Sequence, residues 1–242
     1  MLRCRNTDRL YDQPTCRFRE RDKVPDFHTF SSLLRITAKY EMSTIRSQLI
    51  EVVCDAYPEG VTPARTLGEN VFSGPAPHPN EVLNLFVQEE LISALPMAYY
   101  MAAQRGVDSL MDRRLPQGAT LSPEVLQTAI KGFITLREVE LKETHRLVFG
   151  PAEYPESCSA ADCPSRTPAS PVAWKARQWV FDYMVGPSGR GTKAFAFWVD
   201  PKETECIFLK NCKNCVERWE SGHAYVGEKV GAMLSDAFGF KR

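Results

Sequence analysis

Apolar residues between positions 27 and 57 recur at intervals of three and four. Phe27, Phe30 and Leu34 form one row and Leu33, Ile36 and Tyr40 a second, which predicts a helix with a broad apolar stripe. Asp26 stands where a carboxylate caps a helix by accepting from the free backbone N–H groups of its first turn. A second helix is predicted directly afterwards. Ser43 or Thr44 supplies its cap, Ile45, Leu49, Val53 and Tyr57 make its buried face, and Pro58 stops it. Two helices joined by so short a turn pack as a hairpin.

Prolines and glycines then dominate from Glu59 to Pro79, and "GPAPHPN" reads as a loop. Helical periodicity returns at Asn80. The stretch "NEVLNLFVQEELISALPMAYYMAAQRG" predicts two helices divided or kinked near Pro96, the second ended by Gly106. In "LSPEVLQTAIKGFITLREVELKETHRLVFG", Ser122 is the cap, Pro123 takes the first helical position and Gly150 closes the helix. Gly132 costs roughly 1 kcal/mol relative to alanine inside this helix and is its weak point as one unbroken rod. Glu138, Glu140 and Glu143 alternate with basic residues, so they predict a solvated helix face. Residues 151 to 171 read as a Pro- and Ser-rich loop, and an amphipathic helix follows over about 172 to 185 with Trp174, Trp179 and Phe181. "AFAFWV" is a strand or a buried helical turn. The chain is thus expected to be mainly α. Its predicted parts are a flexible N-terminal arm (1–25), the hairpin (26–58), a linker (59–79), a helical extension (80–150) and a cysteine-containing C-terminal helical segment (151–242).

Composition narrows the function classes. The 242 residues have room for one large or two small domains, and 43% hydrophobic with 25% charged residues is ordinary for a globular chain. Thirty Lys and Arg balance thirty Asp and Glu, so no overall field draws the protein to nucleic acid or anionic membranes. Only the stretch through Lys23 leans basic, with seven Lys or Arg against four acids, and it reads as a solvated arm. No signal-peptide-like segment follows Met1 and no apolar run approaches the roughly 20 residues that span a bilayer. The expectation is an intracellular protein, cytoplasmic or nuclear. In a reducing compartment its clustered cysteines suggest metal rather than disulfides.

The residues "FSSLLRITAKYEMSTIRSQLIEVVCDAYP" carry a family pattern: a leucine-rich helix into a Lys-Tyr pair, a short turn, an Ile-Arg step and a second helix ending in Tyr-Pro. Leu33, Leu34, Lys39, Tyr40, Ile45, Arg46, Leu49, Tyr57 and Pro58 hold those places. This resembles the last helical hairpin of a BTB/POZ domain, in the version of the fungal, basidiomycete-type group. "LISALPMAYYMAAQRGVDSLM" is similar to the helical extension that follows such a domain, and "CSAADC", "CKNC" and "DAFGF" match its later cysteine pairs and closing Phe-Gly. The resemblance implies a non-enzymatic protein that binds other proteins, an adaptor or scaffold. A complete BTB domain carries a β-sheet and further helices ahead of the hairpin, whereas 26 residues precede Phe27 here. The expectation is therefore an N-terminally truncated relative, to which dimerisation and cullin-ligase recruitment do not carry over. Lys39 and Arg46 read as exposed or stem-packed, and the exposed face of residues 80 to 112 as the place where a partner helix or peptide packs.

Cys158 and Cys163 are spaced Cys-x4-Cys, and Cys212 and Cys215 are spaced Cys-x2-Cys. Two such pairs can complete the tetrahedral four-sulfur shell of structural zinc, stapling distant segments together. The alternative is buried or exposed thiols, with Cys206 or His223 as substitute ligands. Cys54 reads as core. Other chemistry fails on order or spacing. In "GPSGRGTK" Thr192 precedes Lys193, the reverse of a Walker loop, and His28, His78, His145 and His223 lie in no hydrolase or metalloprotease motif. A competing reading is a zinc-containing DNA-binding regulator, with the hairpin as a helix-turn-helix and the arm around Arg17 to Arg21 on phosphates. Its difficulty is the apolar second helix, because a recognition helix needs polar side chains for base edges.

Overall fold

The computed structural model describes residues 25–58, 72–104, 106–111, 120–149 and 213–240, and among them every regular element is a helix. In chain order these are α1 (Phe27–Lys39), α2 (Ser43–Ala56), α3 (Pro79–Gln88), α4 (Leu95–Ala103), α5 (Val107–Leu110), α6 (Pro123–Phe149), α7 (Lys213–Ala232) and α8 (Leu234–Ala237). The mainly helical class expected from periodicity holds for these residues. The predicted helix over 172 to 185 and the "AFAFWV" segment lie outside them.

Local chemistry explains where the helices start. Asp26 caps α1 as expected: its carboxylate accepts from the Thr29 backbone N–H at 3.0 Å and from the Thr29 hydroxyl at 2.7 Å. Helix α3 opens with a reciprocal cap. His78 Nδ1 accepts from the Asn80 N–H at 3.2 Å, while Glu81 accepts from the His78 N–H at 3.3 Å. Ser122 Oγ accepts from the Val125 N–H at 3.4 Å to start α6, with Pro123 at its first position. Ser43 and Thr44 do not cap α2. The capping position falls on Met42, which makes no side-chain bond, because the turn leaving α1 is so tight that Ser43 is already helical.

The apolar rows are only partly buried. Phe30 and Leu34 are interior, but Ile36 and Tyr40 of the second row face solvent. On α2, Leu49, Val53 and Tyr57 form the buried face, whereas Ile45, one turn nearer the hairpin tip, projects past the edge of the core and is 40% exposed. Phe72, within the stretch read as linker, is buried, its ring 5.2 Å from Phe27 and 5.3 Å from Phe30. Tyr57 meets Phe86 edge-on at 5.0 Å and so ties α2 to α3; burial pushes its hydroxyl up to about 12.

Helix α4 is apolar around its whole circumference and lies at the centre, packed on α3, α6 and α8. The break between α3 and α4 falls at residues 89–94 rather than at Pro96, which sits in the first turn of α4, where no backbone donor is needed. Helix α6 runs unbroken through Gly132 over the span expected between the Ser122 cap and Gly150, despite the cost of that glycine. The Phe238 ring lies against Gly132 so closely that a Cβ there would overlap it, and the same ring stacks on Tyr99 at 5.2 Å. The glycine therefore admits the C-terminal aromatic segment to the core. Phe240 also reaches Tyr99, at 5.9 Å.

The solvated face predicted for Glu138, Glu140 and Glu143 fails at Glu140. Its side chain is 1% exposed and accepts a charged hydrogen bond from Arg137 at 2.6 Å, while its other oxygen, Oε1, has no partner among the described residues. Burial pushes its carboxyl up to about 7, against the opposing pull of Arg137. Alternation of charge signals a solvated face only when the whole helix surface is free; α6 packs against α4, α5, α7 and α8, so part of that circumference turns inward.

Candidate interaction surface

Two turns are linked through arginine side chains, the α1–α2 turn and the α3–α4 turn. Both leave their helix in the same way. After α1, the Met42 N–H bonds to Thr37 O at 2.9 Å and the Glu41 N–H to Ala38 O at 3.3 Å. After α3, the Leu91 N–H bonds to Phe86 O at 2.9 Å and the Glu90 N–H to Val87 O at 3.3 Å. These are Schellman closures, which require a left-handed residue just past the helix and usually place glycine there. Here the residues are Glu41 (φ 55) and Glu90 (φ 54). The third closure of this kind, after α8, does use glycine, Gly239 with φ 81.

Arg46 joins the two turns. From the first turn of α2 its Nη1 donates to Leu34 O at 3.1 Å and to Glu89 Oε2 at 2.8 Å, and its Nη2 donates to Glu89 O at 3.1 Å. It thereby satisfies carbonyls of α1 and of the α3 cap while its charge is neutralised. Beside it, Arg35 Nη2 donates to Gln88 Oε1 at 3.2 Å. The C-terminal ends of α1 and α3 are held next to each other by these bonds.

The exposed side chains of these segments mix charged and polar residues with several large apolar ones. Ile36, Tyr40, Met42 and Ile45 from the hairpin tip and Ile92 from the second turn are exposed; among the described residues only Met111, Ile134 and Tyr225 are other large hydrophobic side chains as open to solvent. Lys39 extends its ammonium over the Tyr40 ring at 5.5 Å. Glu41 and Glu90 are exposed, and neither carboxylate has an ion pair or hydrogen bond within the described residues.

The nine motif residues thus divide by role. Leu34, Leu49 and Tyr57 are core, Leu33 packs against it in part, Pro58 follows α2, and Arg46 is the clamp. Lys39, Tyr40 and Ile45 are at the surface. Of residues 80 to 112, where a partner face is expected, the described ones are largely interior, with Ile92 and Met111 the open large hydrophobics among them. Glu41 and Glu90 carried no signal in the hydrophobic pattern; the sign available was the lack of glycine after either helix. Cys215 lies in the first turn of α7, while Cys158, Cys163 and Cys212 fall outside the described residues. Cys54 is half-buried, and no group of three His, Cys, Asp or Glu side chains able to hold a metal occurs among the described residues. No helix of these residues is long and apolar enough to cross a membrane.

Compared with family models, curated proteins and solved structures, the chain matches none.

Proposed function

We propose that this is a non-enzymatic protein-interaction protein, an adaptor or scaffold related to the fungal BTB proteins, that binds its partner at the two turns that Arg46 links. The carrying observation is the exposure of Ile36, Tyr40, Met42 and Ile45 over the end of α1, its turn and the start of α2, and of Ile92 in the α3–α4 turn, on elements that Arg46 ties together. Scattered apolar side chains are normal on a surface, but four large ones within residues 36–45 point to a contact site. The Arg46 clamp supports the same reading, since it fixes the relative position of the turns before any partner arrives and lowers the ordering cost of binding. A structural zinc on Cys158, Cys163, Cys212 and Cys215 belongs to this proposal on the strength of their spacing, and supplies no chemistry beyond holding the C-terminal segment.

The DNA-binding alternative gains no support. On α2 the exposed side chains include Glu51 and Asp55, and its Arg46 is committed to Glu89. A helix of that kind repels phosphate.

The test is a photo-crosslinking amino acid placed at Tyr40, Met42 or Ile92, with Tyr225 on α7 as control, in the native cell. A partner band from the first three positions and none from Tyr225 is expected. Identical bands from all four positions, or none from any, would sink the assignment.

A further inference from the structure

We draw no further inference here: the strongest candidate, the exposed apolar patch of Ile36, Tyr40, Met42 and Ile45 at the tip of the α1–α2 hairpin, belongs to the surface already described, and nothing in the structure shows what covers it.

Discussion

Gly132 shows how one residue can be a fault in its own helix and a requirement of the fold. Alanine there would favour α6 by roughly 1 kcal/mol from helix propensity. It would also displace Phe238 from its place between α6 and Tyr99. Overpacking of this sort costs about 1–3 kcal/mol, so Gly132→Ala is expected to lower the urea midpoint despite the better propensity. In a Phe238→Ala background the same change should become neutral or stabilising, which a double-mutant cycle reads directly. Glu140 offers a second residue-scale prediction. Its folded-state carboxyl is raised from 4.5 to about 7 by burial, so the folded chain holds the proton more tightly than the unfolded chain. That contribution is fully present below about pH 4.5 and is lost as pH rises through about 7. Glu140→Gln, a neutral isostere, should therefore be more stable than the wild type at pH 8, by on the order of 2 kcal/mol relative to their difference at pH 5. Parallel stability curves for the two proteins across that range would refute the assignment.

At the scale of elements, the ends of helices follow local chemistry closely, and their exits explain the surface. Asp26, Ser122 and Pro123 do what their positions in the sequence imply, because a cap needs only a side-chain acceptor within its own first turn. The His78 cap was less legible, since imidazole is a rare acceptor there and the helix was placed one residue late, at Asn80. The exits after α1 and α3 carry glutamate in the left-handed position, so Glu41→Gly and Glu90→Gly should each raise stability by roughly 0.5–1 kcal/mol in chemical denaturation. Equal or lower stability of both glycine variants would show that the left-handed glutamates carry no strain.

At the scale of the molecule, the hairpin, the central α4 and the C-terminal α7–α8 pair share one apolar core that closes around α6 and Tyr99. The zinc proposal belongs here, because a metal joining Cys158 and Cys163 to Cys212 and Cys215 would tie the long stretch after α6 to the start of α7. Protein purified without chelator should carry about one zinc per chain. Less than about a tenth of an equivalent by elemental analysis would exclude a four-sulfur site in this protein. By itself the sequence determined the helical class, most of the helix boundaries among the described residues and the core identity of Phe30, Leu34, Leu49, Val53 and Tyr57, since periodicity and capping act within a few residues of the chain. Tertiary structure alone decided that Ile36, Tyr40 and Ile45 stay outside, that Glu140 goes inside, and that Gly132 serves Phe238. It also decided that Arg46 reaches from the first turn of α2 to the Glu89 cap of α3. A row of apolar residues states that a helix has a sticky side, but how far along that side a neighbour reaches is set by residues distant in sequence. Arg46 and Glu89, 43 positions apart, are the pair that set it here.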